Sequence, residues 1–573
     1  MTRPFGRGPS PRADVVGIGA AALVLGLPLL SGAVLAGHDM RTYLMYAPQI
    51  VANLRDGIVL PAWAPDLNGG YGGPGLLFYP PLVHVLHALG CLLGLPAVLS
   101  IGLLTILGSC VSGVALRAWL GAEGWDGTLA APIVYMAAPY RVIDVYERTA
   151  LSEHWAFVFP PLILWALASG RLSRGRRVAA VAAGVAALVL TNLPLAALFA
   201  PVLAAYALPA GGDAGRRWDA ALGAALGVGV ALFALVPAAL SGRFMATELF
   251  YGGSAGDFTP SLNTLFGTPP NNPGFHQRVS VAALVTFLLV AVAFASSSPG
   301  GRKVFFVAVG TLSFAFMLKP FGPVWDLLPV LSKLQFPWRL SGVTTFAVAA
   351  LVAGARPRAR TAIASLAVLA SLGFCPGRQT APLADLPLAA PEPAPPGTAF
   401  PDPAAVVESA ALASHPGLSN PKLTDLWYLP RTLGEPLARE IYLDGPPALP
   451  GLERAAAAAL GGQPLRFRVA EWRRLRRSVS VSVERPTTVV LHSLYFPGMG
   501  IEIDGQRARA AVERRTGLLA AVVPAGDHVV TWTWRPFPPL GTARIASLVC
   551  LLAVLSAAVF PWSARRPAAA PRS

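Results

Sequence analysis

The residues best placed to do chemistry stand at the ends of apolar runs. His38 and Asp39, in GHDMRTYLMYAPQ (37–49), follow directly on the apolar run from Val15 to Leu35. A second group occupies YRVIDVYERTALSEHW (140–155), which carries Asp144, Glu147, Arg148 and Glu153. Charged groups beside a bilayer are costly unless they pair or line a wet cavity. Carboxylates from two separate helix ends can converge on one cavity. There one can act as a general base toward a hydroxyl, or hold a divalent cation against a phosphate. Asp39, Glu147 and Glu153 are therefore the catalytic candidates. Plainer readings stand beside these: Asp39 as a solvated helix end, Asp144 and Arg148 as an i,i+4 surface pair, and His38 as a polar tip at the interface rather than a ligand.

Arginines on the same side are candidates for an anion. Arg339 in LQFPWRLSG (334–342) lies near Lys333 and Lys319, and Arg148 lies among the acids. A guanidinium fork suits a lipid phosphate or pyrophosphate; the alternative for Arg339 is an interfacial anchor beside Trp338. Tyr43, Trp63, Tyr71 and Tyr79 set aromatic rings along the same first outer segment. The run Gly69-Gly70-Tyr71-Gly72-Gly73 lacks the lysine and the strand–helix setting of a nucleotide loop, so it reads as a flexible loop bearing an aromatic.

The elements that must position these groups are membrane helices. The chain of 573 residues is 54% hydrophobic and 13% charged, with mean hydropathy +0.56, which is a polytopic membrane composition. The net charge of +16 sits in short arginine clusters between apolar runs. That is the positive-inside pattern and argues against nucleic acid as a partner. Taking the N-terminus, Arg117, Arg171–Arg177, Arg216-Arg217, Arg302-Lys303, Arg356–Arg360 and Arg565-Arg566 as cytoplasmic gives about twelve spans. They lie near 14–36, 97–117, 127–141, 154–169, 178–192, 194–209, 218–240, 280–298, 304–319, 340–355, 360–376 and 542–562. Alternation of sides then requires YPPLVHVLHALGCLLGLP (79–96), with His84 and His87, to lie on the outer surface as a juxtamembrane helix. Nine of the fourteen acids before residue 377 fall on the outer face.

The predicted organisation is a cytoplasmic N-terminus (1–13) leading into a retained signal anchor, and a transmembrane domain (14–376) with a first outer loop over 37–96. An extracytoplasmic β-rich domain (377–541), a last helix (542–562) and a cytoplasmic tail (563–573) follow. A Pro/Ala-rich linker opens the β-rich part, whose strands show in the alternation of SVSVSVERPTTVVLHSLYF and HVVTWTWRPF, with VPAGDH as a turn. Cys91, Cys110, Cys375 and Cys550 lie in or beside apolar runs without a CxxC pair, so they read as packing residues, with no metal site.

Residues 37–89, YRVIDVYERTALSEHWAFVFPPLIL and LQFPWRL together resemble the bacterial membrane family labelled 6-pyruvoyl-tetrahydropterin synthase-related, with a GT-C glycosyltransferase-like architecture. The stretch LYFPGMGIEIDGQRARAAVERRTGLLAAVVPAGDHVVTWTWRPFPPLGTARIASL (494–548) is similar to the C-terminal segment of YfhO-like proteins. The resemblance spans nearly the whole chain. It implies transfer of a sugar from a polyprenyl-phosphate donor to a glycan or protein acceptor on the periplasmic side of the bacterial inner membrane. The acidic residue of the first outer loop would be catalytic, which is Asp39 here, and Glu147 or Glu153 would match a second acidic element. Pro80-Pro81-Leu82 resembles the opening of a second juxtamembrane element. Asp39 follows a histidine rather than forming Asp-Glu or Asp-x-Asp, so no ligand set requires the divalent cation (Mg or Mn) that the class admits.

Two functions follow. In the first, Arg339 and Arg148 hold the donor phosphate, His38 helps bind substrate, Tyr43, Trp63, Tyr71 and Tyr79 stack on sugar faces, and Asp39 is the base of a single inverting displacement. In the second, the protein is a non-catalytic transport or assembly component for lipid-linked glycans. An ion-coupled transporter fits less well, because transporters place charges near mid-membrane and these acids gather at one face.

Overall fold

Apolar runs long enough to cross a bilayer become helices, and the computed structural model shows where each begins and breaks. It describes residues 11–559 except 32, 36, 60, 69, 126–128, 208–213, 246–257, 268, 270–272, 298–299, 375–378, 383–430, 433–456, 461–464 and 536–537. The Pro/Ala-rich linker beyond Pro382, Cys375, Glu248, Asp257 and the segments 1–10 and 560–573 lie outside the described residues.

The protein is a polytopic α-helical membrane protein with a β-rich region near its C-terminus. The helices are α1 (Pro11–Gly26), α2 (Met40–Arg55), α3 (Gly75–Phe78), α4 (Pro81–Leu92), α5 (Ala97–Ala122) and α6 (Ala130–Ala137). They continue as α7 (Pro139–Tyr146), α8 (Leu151–Ala156), α9 (Phe159–Ala168), α10 (Arg174–Thr191), α11 (Leu193–Ala207) and α12 (Ala214–Ser241). The last are α13 (Pro273–Ser296), α14 (Gly301–Phe316), α15 (Gly322–Leu327), α16 (Ser341–Ala353), α17 (Pro357–Leu372) and α18 (Pro538–Val559). Among the described residues, six helical stretches are long and apolar enough to cross by length and composition: 12–31, 97–122, 151–168, 214–244, 273–296 and 540–559. Each of the twelve expected spans overlaps helix, though several are short or broken and the first, expected over 14–36, gives way to the strand Ala33–Leu35.

The breaks have local causes. Pro139 forces Ala138 into an extended conformation (φ −59°, ψ 140°), ending α6 and starting α7. Arg141, 1% exposed, turns back to donate to the Tyr135 carbonyl at 3.0 Å and so satisfies the end of α6. At the arginine-rich end the acids pair across loops. Arg117 meets Asp14 at 2.8 Å, Arg302 meets Glu123 at 2.5 Å, and Arg174 and Arg177 share Asp219 at 2.7 and 3.0 Å.

Residues 37–96 carry more structure than a connecting loop. The first outer segment contains a helix, α2, with thirteen of its sixteen residues buried. The expected helix over 79–96 is α4, twelve residues long, and α2 covers it: His84 and His87 are 3% and 0% exposed, and Tyr43 of α2 stacks on His84 at 4.9 Å.

Besides a two-stranded ribbon of β1 (Ala33–Leu35) and β2 (Gln379–Pro382), the strands form a sandwich. One sheet has the order β3 (Ala457–Ala459), β6 (Thr487–Leu494), β10 (Leu518–Val523), β9 (Ala511–Val512). The other has the order β4 (Arg466–Trp472), β5 (Arg476–Val483), β11 (Gly526–Trp534), β7 (Met499–Ile503), β8 (Gln506–Ala508). The SVSVSV alternation is read as expected: Val479, Val481 and Val483 are buried while Ser482 is exposed. The VPAGDH turn carries the chain from β10 in one sheet to β11 in the other rather than closing a hairpin. The tight hairpin is Asp504-Gly505 between β7 and β8, with both residues at positive φ (52° and 77°).

The sandwich is not a free appendage. Its core includes Ala62, Trp63, Tyr71 and Leu77 from the first outer segment. Arg474 spans Asp66 at 2.6 Å and Asp56 at 3.5 Å. Buried Arg477 donates to the carbonyls of Gly70, Pro65 and His492 at 3.3, 3.4 and 3.4 Å.

Candidate active site

The two acidic segments singled out by sequence meet. The backbone N–H of Asp39 donates to the Arg148 carbonyl at 2.8 Å, and that of His38 to the Glu147 carbonyl at 3.4 Å. This approach requires glycine at 37, since a Cβ there would lie 1.9 Å from Thr149 Oγ1 and 2.9 Å from the Arg148 carbonyl carbon. Thr149 itself turns the chain between α7 and α8 at φ 53°, a left-handed conformation that is costly for a β-branched residue.

Asp39 stands at the N-cap of α2, yet its side chain caps nothing. The carboxylate is half-buried and makes no hydrogen bond or ion pair with the described residues. His38 beside it is exposed and sits edge-on to Phe275 of α13, with ring centroids 4.8 Å apart.

The other acids are occupied. Glu153, 1% exposed, accepts from Arg148 Nη1 at 2.8 Å through Oε2 and from Arg339 Nε at 3.3 Å. Its Oε1 accepts from the Tyr140 hydroxyl. Asp144 pairs with Arg148 and keeps Oδ2 buried without a partner. The expected Asp144–Arg148 pair therefore forms, but in the interior: the two residues are 0% and 5% exposed. Two guanidinium groups face two carboxylates, so the cluster is formally neutral. Glu147 accepts from Arg278 Nε at 3.0 and 3.1 Å. The Arg148 guanidinium also lies 4.7 Å from the centre of the Trp338 ring, and Arg339 lies over Phe336 at 5.1 Å while donating to the Leu334 carbonyl at 2.9 Å.

Several expectations are corrected by this geometry. Arg148 and Arg339 are both engaged by Glu153, through Arg148 Nη1 and Arg339 Nε, rather than standing apart from the acids. Glu147 and Glu153 are engaged as counter-ions, Glu147 to Arg278 and Glu153 to Arg148 and Arg339. Trp63 and Tyr71 cannot stack on a sugar. Both are 3% exposed, Tyr71 lying flat on His492 at 3.9 Å and Trp63 packing near Phe496 at 6.3 Å. Tyr79 is half-buried against Tyr46 and His84, at 5.1 and 5.3 Å. Tyr43 is spent on Ser152, whose backbone N–H it accepts at 2.8 Å.

Tyr140, Trp338 and Arg278 complete the site and were not singled out as members of it. Arg278 was detectable in principle, being a charge at the start of an apolar run. Tyr140 and Trp338 were not, because rings beside membrane helices are common. Among the described residues no three His, Cys, Asp or Glu side chains gather as metal ligands.

No family model matches the chain, and no curated relative does. Three solved structures match, all of the arabinofuranosyltransferase AftD from Mycobacteria. One is 19% identical over 64% of this chain and 27% of that one, with TM-score 0.45. A second, of a mutant, is 20% identical over 64% and 28%, with TM-score 0.41. The chain spans a little over a quarter of the length of the protein it matches. None of these matches is to the pterin-synthase-related family or the YfhO-like group that the sequence resembles.

Proposed function

We propose that this protein is a membrane glycosyltransferase that moves a sugar from a polyprenyl-phosphate donor to an acceptor hydroxyl at the membrane face, with Asp39 as the base. One observation carries the reading. Asp39 is the acid of the cluster whose carboxylate has no partner among the described residues, and its backbone is fixed on Arg148. A half-buried carboxylate that neither caps its helix nor pairs is free to take a proton. Exposed His38 adjoins it as a polar contact for substrate. Attack by the acceptor oxygen would break the bond between the anomeric carbon and the phosphate, and the acceptor proton would pass to Asp39, inverting the centre. Arg148, Arg339, Glu153, Tyr140 and Asp144 serve in this reading as the frame that holds Asp39, not as a phosphate clamp. No step is routed through a divalent cation, because the carboxylates that would hold one are committed to arginines.

The test uses purified full-length protein with a panel of polyprenyl-phosphate sugars, scoring release of the lipid phosphate. Asp39→Asn is expected to lower release by about 10²–10⁴-fold with an unchanged melting temperature. Full activity in that variant would remove the base from the reading.

The commitment of both arginines to internal carboxylates favours a second reading, a non-catalytic protein that carries or assembles lipid-linked glycans. That reading expects no release from any donor, and an Asp39→Ala variant that behaves like the parent in glycan assembly.

A further inference from the structure

About three turns along α2 from Asp39, at Ile50, a small half-open crevice of about 50 Å³ lies between the first outer segment and the membrane helices α12 and α18. Its walls are apolar, among them Ile50, Leu77, Phe233 and Leu540, and its two strongly polar members are His84 and Arg544. His84 is 3% exposed, and neither ring nitrogen has a hydrogen-bond partner among the described residues. Arg544 lies six residues into α18 and Phe233 eight residues before the end of α12. At about 1.5 Å per residue, both stand roughly 10 Å inside the same ends of their helices, the depth to which an arginine reaches from a phosphate layer. The outward face of α18 is bare and apolar: Ile545, Leu548 and Leu552 are 65%, 55% and 56% exposed.

These features describe a lipid with a charged head. A cation at headgroup depth above an apolar slot attracts a lipid phosphate. Only part of one acyl chain enters the slot, and the rest of the lipid runs down the bare face of α18. We propose that an anionic phospholipid of the bilayer occupies this crevice, its phosphate at Arg544 and a head-group hydroxyl or ester oxygen at His84, binding the α12–α18 pair to the first outer segment. The site is separate from Asp39 and does not depend on the glycosyltransferase reading.

The experiment measures the melting temperature of delipidated full-length protein in detergent. Phosphatidylglycerol, phosphatidylcholine, inorganic phosphate and a prenyl monophosphate are added separately. Phosphatidylglycerol is expected to raise it saturably by about 3 °C or more, with phosphatidylcholine and inorganic phosphate near zero. Arg544→Gln and Ala234→Trp, the latter filling the slot, are each expected to lose that shift. Native mass spectrometry should count one retained phospholipid in the parent and none in the Ala234→Trp variant, which keeps the test decisive if Arg544→Gln fails to fold. Equal shifts from the zwitterionic and anionic lipids, a shift from inorganic phosphate alone, retention of the shift in both variants, or a response to prenyl monophosphate without one to phosphatidylglycerol would each overturn the proposal.

Discussion

The backbone N–H of Asp39 donates to the carbonyl of Arg148 at 2.8 Å, while the Arg148 side chain is spent on Asp144 and Glu153. One residue thus connects the unpaired carboxylate to the buried ion cluster, through its main chain on one side and its guanidinium on the other. The acid proposed to do chemistry is placed by a structure that carries no net charge of its own.

The placement depends on a missing side chain. Gly37→Ala would drive a methyl group into Thr149 Oγ1 and the Arg148 carbonyl. The expected cost is about 1–3 kcal/mol, seen as a lower melting temperature, with transfer activity falling further than the stability loss explains. Thr149→Gly in the same chain should recover part of both. If Gly37→Ala matches the parent in activity, the Asp39–Arg148 contact does not matter to function.

Glu153 neutralises two arginines. Glu153→Gln leaves Arg148 with Asp144 and Arg339 with no carboxylate, and breaking a buried pair from one side costs about 3–5 kcal/mol. Poor yield or a strongly reduced melting temperature is expected. Normal stability with selective loss of activity would instead point to Glu153 as a catalytic group.

Arg474 fastens the β-sandwich to the first outer segment through Asp66 and Asp56. Arg474→Ala should weaken that junction by about 1–3 kcal/mol and expose the 56–79 stretch to limited proteolysis. Trp63→Ala should do the same. A change in KM for donor or acceptor with unaltered proteolysis would restore Trp63 as a sugar-stacking residue.

The sandwich carries one surface pair that responds to pH. His528 Nδ1 lies 2.6 Å from Asp504 Oδ2. That hydrogen bond raises the His528 pKa above its usual 6.5 and lowers that of Asp504 below 3.8. A raised histidine stabilises below its unfolded pKa, and the gain is lost as pH rises through the folded value. A lowered carboxylate stabilises above its unfolded value, and the gain is lost as pH falls through the folded one. The pair therefore contributes most between about pH 4 and 6.5. The difference in melting temperature between the protein and His528→Gln should be largest there and shrink toward pH 9. A difference that is flat from pH 4 to 9 would contradict the linkage.

The membrane helices were legible because their signal is local: each is an apolar run between arginine clusters. The meeting of residues 37–39 with 144–153 was also anticipated, since both acidic groups stand at helix ends on one expected face. What the pattern concealed was occupancy. Nothing in YRVIDVYERT shows that Arg148 and Arg339 share Glu153, because that contact joins positions 186 residues apart. Helix α2 escaped for a different reason: Tyr, Met, Gln and Asn buried on most faces look like an irregular loop rather than an amphipathic helix. Trp63 and Tyr71 read as exposed rings because their cover comes from β-strands far along the chain.

That last separation has a consequence for biogenesis. The Arg474–Asp66 contact joins residues 408 positions apart. At roughly 5–20 residues per second of synthesis, the stretch that begins at Asp56 waits about 20–80 s for the partner that shields its tryptophan and tyrosine. During that interval it is an unfinished surface, and a chaperone or a protease would meet it before the sandwich does.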